Sequence, residues 1–578
     1  MQAVQPNSKS QPTVQIEFPK FSLLKSEVAL VGSHLFLAFT ALSIGLLMGP
    51  FQAFRRAPGV TQLLGGEAIG MPIFSYYYQA LTLHGVLNAL VFTTFFIVGM
   101  SYFVVQRSLK RPMKYMPLAW GAFALMVVGV VLAGYAMISG QANVLYTFYA
   151  PMLAHFTFYL GLTLVIVGTW VATFNTFATY LDWKKDNPGQ PVPLIAYAIL
   201  ANYLMWCVAT VGVATEVLTM QLPMSLGIIA TTDAQISRIL FWFFGHPLVY
   251  FWLIPAYASW YALLPQQMGV KLFSDPLARV AFLMLMVFSI PIGVHHLYVD
   301  PGVSEVSKAF HSALTFVVAM PSLLTAFTIA ATLERAGKKN GATGKMFHLD
   351  WVPKVPWGDP VVTSQILGML IFIIAGITGI TNASYTLNVS LHNTTWIVGH
   401  FHTTLAGAVF LTYMGITYWL IPAMRGRKLF APKLAVAQAY TWFFGMILFG
   451  LGMGRAGIEG AIRRTDMGVV GSFMSESWAG WLNLSAVAGV ILLVSSVLIY
   501  VVIIGTLFFS KEPIEEAIEI PILTEAPKDE FIPPIMERWG MWLAIIVIAC
   551  IIMWGPVLLE ATDFVNGYWS VGWTVPAQ

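Results

Sequence analysis

Charge is scarce in this chain. Lys, Arg, Asp and Glu make up 10% of its 578 residues, where a soluble globular protein carries about 25%. Hydrophobic residues reach 58%, more than a water-exposed surface accommodates. A net charge of +4 gives no support to nucleic-acid binding, which needs a concentrated basic face. Cysteine is nearly absent: Cys207 and Cys550 are the only two. They lie far apart inside apolar runs and read as small core residues rather than a disulfide. With so few thiols, a thiolate metal site is excluded. Residues 1–25 hold Lys9, Lys20 and Lys25 and lack the apolar core of a cleavable signal peptide, so the first apolar span is expected to direct its own insertion.

What the chain has in abundance is long apolar runs, each of a length that crosses a bilayer as a helix. Thirteen spans are predicted, at about 27–50, 73–106, 116–139, 144–181, 194–222, 237–263, 278–294, 308–333, 361–385, 394–424, 434–455, 477–510 and 540–560. The predicted fold is therefore an all-α polytopic membrane protein. A segment 1–25 precedes one membrane domain, 26–562, and a tail, 563–578, follows it. No internal repeat stands out. The connections after even-numbered spans are basic, with Arg107, Lys110, Arg111 and Lys114 in the first and Arg425, Arg427, Lys428 and Lys433 in the last of four. The positive-inside rule puts these loops and the N-terminus on the cytoplasmic side and the C-terminus outside. Segment 511–538 is acidic and contains proline, and reads as a solvated connector.

The tenth span opens with Gly399-His400-Phe401-His402. Two histidines two residues apart point about 200° from each other around a helix. One helix thus offers an imidazole to a different partner on each side. The structural alternative is a pair of merely hydrogen-bonded histidines, but an ionisable residue inside a membrane segment is a functional-site hypothesis by default. Topology supplies depth. His84, His246, His400 and His402 each come about six to eleven residues after an outer-side entry, and His295-His296 closes a span running outward, so at about 1.5 Å per residue all six share one layer.

A shared depth points to a metal centre. Pro291 and Gly293 favour a distorted helix end, which would turn His295 and His296 toward one ion. With His246 they form a donor set suited to copper or another late transition metal. Tyr250 stands one turn beyond His246, on the same face. Histidine is a familiar axial ligand of haem. His84, His400 and His402 remain for two haems, one held by two histidines and one by a single histidine with an open position. Tyr250, Tyr257 and Tyr261 continue the His246 face inward. Thr315, Ser322 and Thr325 share a face of the eighth span. Such hydroxyl rows can carry protons, or simply join helices.

His-Pro-Leu-Val-Tyr at 246–250, the His295-His296 pair and His-Asn-Thr-Thr-Trp-Ile-Val-Gly-His-Phe-His at 392–402 resemble subunit I of the haem–copper terminal oxidases. The similarity extends over roughly residues 25–560. The resemblance implies a subunit that reduces dioxygen to water and pumps protons, with two haems and one copper ion. By position, His84 and His402 would be the axial pair of a six-coordinate, low-spin haem, and His400 the ligand of the high-spin, oxygen-binding haem. His246, His295 and His296 would hold copper, and Tyr250 would be cross-linked to His246. The B-type branch matches best. Leu248 stands where the largest branch has a glutamate that ends a proton channel, leaving the tyrosine-and-threonine route. Arg463, Arg464, Asp300, His392 and Asn393 would surround the haem propionates, although an Arg pair can also be a plain interfacial anchor. Asn388 stands where a B-type relative has aspartate, and Glu216 has no assigned role.

The chain lacks the clustered cysteines of a dinuclear copper site. Electrons are therefore expected through an oxidase subunit II from cytochrome c, or alternatively from quinol. A nitric oxide reductase on the same scaffold is the enzymatic rival, opposed by Tyr250 and Leu248. A histidine-relay transporter without haem is the non-enzymatic one.

Overall fold

A computed structural model describes residues 25–71, 73–74, 76–344, 348–467, 475–514 and 530–570. Segment 1–24, Lys345, residues 515–529 of the acidic connector and the end of the tail lie outside these. Among the described residues, twelve helices are long and apolar enough to cross a membrane. In chain order they are α1 (Lys25–Arg56), α2 (Tyr77–Ser108), α3 (Met116–Ile138), α4 (Phe156–Asp186), α5 (Leu194–Ser225), α6 (Ala234–Gln267), α8 (Glu305–Lys339), α9 (Pro360–Ala383), α10 (Thr395–Arg425), α11 (Pro432–Ile458), α12 (Glu476–Phe509) and α13 (Trp539–Ser570). Between α6 and α8 lies α7 (Asp275–Phe288), of 14 residues.

Local chemistry explains where these helices start. Asp233, Ser304, Asp359 and Thr394 cap α6, α8, α9 and α10 by accepting hydrogen bonds from backbone N–H groups of the first turn, satisfying donors that a helix leaves orphaned. Small residues set how closely helices approach. A Cβ added at Gly161 of α4 would come 2.7 Å from the Ala133 nitrogen of α3, so only glycine permits that crossing.

Three predicted spans are corrected. The run 144–181 becomes helical only at Phe156. Pro151 removes a backbone donor and keeps its neighbour out of helical geometry, so 143–155 stays an irregular loop. The run 278–294 is helical only to Phe288. Continuing the helix would drive the Pro291 ring into the Val287 carbonyl, and Gly293 adopts φ 148°, which an L side chain resists. His295 and His296 therefore ride on a tight turn, Val294–His296. The eighth span breaks at Val318, between Glu305–Val317 and Ala319–Lys339, three residues before Pro321.

Two π-helical stretches interrupt α2 and α10. They cover Val86–Phe92, just after His84, and His402–Val409. Such bulges accumulate at functional sites.

Candidate metal centres

His246 comes from the middle of α6, and His295 and His296 from the turn after α7. One ligand atom from each lies within 4.8 Å of the others. His246 Nδ1 stands 3.3 Å from His296 Nε2, and the His246 and His295 rings meet edge-on at 4.4 Å. Trp242 stacks on His296 at 3.8 Å. The hydroxyl of Thr315 lies 3.3 Å from His295 Nδ1, leaving His295 Nε2 for the cluster. Three imidazoles without a carboxylate among them suit a late transition metal, copper included. His246 Nε2 has no hydrogen-bond partner, and the Tyr250 ring sits 5.2 Å from its ring.

The other three histidines share one arrangement. His84 Nδ1 is 2.8 Å from the Gly45 carbonyl and His402 Nδ1 is 2.9 Å from the Val398 carbonyl. A carbonyl only accepts, so each Nδ1 carries the proton and each Nε2 keeps its lone pair. The Thr378 hydroxyl donates to Ala375 O (2.8 Å) and so accepts from His400 Nδ1 (2.9 Å). This is the outer-shell pattern of metal-bound histidine. The His84 and His402 rings lie 6.0 Å apart and within 10° of parallel. An ion between their Nε2 atoms fits that separation, since an imidazole–metal bond runs to about 2 Å. Glycine makes room for both sites: a Cβ at Gly49 would come 2.7 Å from His84 Cε1, and one at Gly379 would come 3.2 Å from His400 Cε1.

One cavity of about 610 Å³ is lined by all six histidines and Tyr250, with His392, Asn393, Arg463 and Arg464 also on its wall. Arg463 donates to Asn393 Oδ1 at 2.9 Å, and Arg464 Nη1 to the Tyr149 hydroxyl at 3.2 Å. Arg464 Nη2 has no partner. Among the described residues no carboxylate lies within ion-pair distance of either arginine. Two adjacent cations without a counter-charge fit an anionic group such as a haem carboxylate. Burial and the neighbouring Arg464 push the Arg463 guanidinium down to about 10. Burial, then Arg463, Arg238 and Arg464, push His392 down to about 4. Asp300 lies off the cavity wall and pairs with Arg238 at 2.9 Å; burial raises its pKa while Arg238 pulls it back. Asn388 donates to the His295 carbonyl at 3.1 Å and accepts from His392 Nδ1 at 3.2 Å.

The two hydroxyl rows face each other. Tyr257 donates to Ser322 at 2.9 Å and Tyr261 to Thr325 at 2.7 Å. Both tyrosines are fully buried. Leu248 is a buried residue on the cavity wall. Glu216 is also buried and accepts from Ser237 at 2.7 Å. Sequence reasoning missed Thr378, Arg238 and Tyr149; the last stands in the loop mistaken for helix.

The cytochrome C and quinol oxidase polypeptide I family matches residues 29–491. Cytochrome c oxidase subunit 1 of Thermus thermophilus is 39% identical over 92% of this chain and 94% of its own length. Cytochrome c oxidase polypeptide 1 of Halobacterium salinarum is 26% identical over 73% of this chain and 71% of its own. A solved heme-copper terminal oxidase dimer superposes with a TM-score of 0.85 at 35% identity, covering 93% of this chain and 94% of that one.

Proposed function

The chain belongs to the cytochrome c and quinol oxidase polypeptide I family, and from that premise we propose how its residues carry out a terminal oxidase's reaction. It is an integral membrane protein and the catalytic subunit of a respiratory oxidase that reduces dioxygen to water. The observation that carries the site assignment is the sharing of one cavity by the three-histidine cluster, His400 and the parallel His84–His402 pair.

His84 and His402 would hold the electron-transferring haem through Nε2. His400 would hold the oxygen-binding haem, and His246, His295 and His296 would hold copper. Once bound, these groups supply electron storage and the place where dioxygen is taken up. Arg463 and Arg464 neutralise the haem carboxylates, and Asn393 keeps Arg463 turned toward them. His392 stands beside this region and Asp300 is anchored next to it by Arg238.

Tyr250 would give up its hydroxyl proton and one electron to dioxygen reduction, the remaining electrons coming from the bound haem and copper. Its position one turn from His246 suits the covalent link the family carries. Protons reach Tyr250 from the inner side through Tyr261 and Tyr257, with Thr325 and Ser322 as their hydroxyl partners. Thr315 orients His295. Leu248 has no titratable group, so the hydroxyl line is the route by which this chain brings protons from the inner side to the metals, and further protons are pumped outward.

We assign the N-terminus to the cytoplasm and the C-terminus to the outside, with the basic loops as support. Other oxidase subunits complete the enzyme. We assign electron entry to a subunit II with a dinuclear copper site, fed by cytochrome c; quinol is the alternative donor.

Metal analysis of the purified complex tests the site. His246→Ala is expected to remove one copper per complex while both haems remain. Unchanged copper would overturn the assignment.

A further inference from the structure

α13 lies beyond residues 29–491, the part the family matches, yet its side chains reach the segment bearing two copper-ligand candidates. Trp554 donates from Nε1 to the Ile290 carbonyl at 2.7 Å. That carbonyl belongs to the irregular stretch between α7 and His295. The same indole closes over Gly293, where an added Cβ would come 2.8 Å from Trp554 Cζ2. Trp554 is 2% exposed, so the contact is made without water.

A second set of contacts fixes the start of α8. Glu560 accepts from the Ser304 backbone N–H at 2.9 Å and from the Ser304 and Ser307 hydroxyls at 2.7 and 2.9 Å. The Met553 carbonyl of α13 accepts from His311 Nε2 at 2.9 Å. One turn after His311 comes Thr315, whose hydroxyl lies 3.3 Å from His295 Nδ1. The histidine pair is therefore held from two directions by one helix: its own backbone through Trp554, and its hydrogen-bond partner through Glu560 and His311. A carboxylate satisfying a helix N-terminus is held by both the N–H and hydroxyl donors and the helix dipole. A segment without regular backbone hydrogen bonding needs such outside support to keep ligands in place.

We propose that α13 is a positioning strap for His295 and His296, acting through Trp554 and Glu560. The proposal rests on the reading of these histidines as copper ligands. Neither strap residue touches the reacting atoms.

Trp554→Phe keeps the ring and deletes the N–H; Glu560→Gln keeps the shape and deletes the charge. Each complex is purified whole, reduced, and challenged with a copper(I) chelator while haem spectra are recorded. Outer-shell losses cost about 10–100-fold in metal affinity, so copper release from the three-histidine site is expected at least tenfold faster in both variants, with both haem spectra unchanged. The infrared band of carbon monoxide on copper is expected to broaden or shift in parallel. Wild-type release rates and an unchanged band in both variants would overturn the strap. So would haem loss in step with copper, which would make α13 a general scaffold. Wild-type enzyme without copper on these histidines would overturn the underlying assignment instead.

Discussion

Replacing Thr378 by Val separates the two haem sites. The side chains are close in size, so packing around α9 is preserved. What disappears is the oxygen that accepts from His400 Nδ1 at 2.9 Å. The imidazole N–H is then left with the Ala375 carbonyl alone, and losing the hydroxyl costs about 1–3 kcal/mol. His400 also loses the hydrogen bond that fixes its orientation and raises the basicity of Nε2. Comparable outer-shell losses weaken metal binding about 10–100-fold, which is about 1.4–2.7 kcal/mol. The two figures agree, as they should if the lost hydrogen bond is the whole effect. The assay is a carbon monoxide difference spectrum of the reduced complex, since only a haem with an open position binds this ligand. Thr378→Val is expected to lower the carbon-monoxide-reactive haem and leave the six-coordinate haem intact, because His402 is held separately by Val398. Loss of the six-coordinate signal instead would show that the two faces of α10 have been assigned the wrong way round.

Other outcomes follow from the same geometry. Tyr250→Phe is expected to retain both haems and to lose nearly all oxygen consumption, measured with an oxygen electrode. His402→Ala is expected to remove the six-coordinate haem band and spare the carbon-monoxide-reactive one. Tyr261→Phe breaks the 2.7 Å link to Thr325; reduction of the haems is expected to stay fast while proton uptake in stopped flow slows at least tenfold, the scale of a lost proton-transfer group. His392, held down to about 4, binds its proton less readily folded than unfolded, where the pKa is about 6.5. Its contribution to stability is therefore complete above pH 6.5 and falls as pH drops toward 4. Melting of wild-type enzyme is expected to lose ground to His392→Asn over that window.

Much of the site could be read from sequence because buried imidazoles are rare in apolar helices and their depth follows from topology. The successive spacings of 4, 7 and 4 residues between His246, Tyr250, Tyr257 and Tyr261 placed them on one face, and that face meets Ser322 and Thr325. Hydropathy gave the spans well but could not place their breaks. Loop 143–155 is as apolar as a helix, yet Pro151 keeps it irregular, Phe148 packs on Phe158 and Phe241, and Tyr149 reaches Arg464. The short α7 was mistaken for a full span for the same reason. The π-helical turns after His84 and at His402 leave no periodic trace over so few residues. Asp300 was grouped with Arg463 and Arg464, but Arg238, unremarked in sequence, claims it. Thr378 and Trp554 were invisible because their importance lies in one hydrogen bond each to a residue distant in the chain.

We propose that one cavity holds a bis-histidine haem, a single-histidine haem and a three-histidine copper. A reduced-minus-oxidised visible spectrum of the purified complex, recorded with and without carbon monoxide and paired with metal analysis, tests it most directly. The expected result is two haems, only one of them shifted by carbon monoxide, with copper present. A featureless spectrum, or iron without copper, would contradict it.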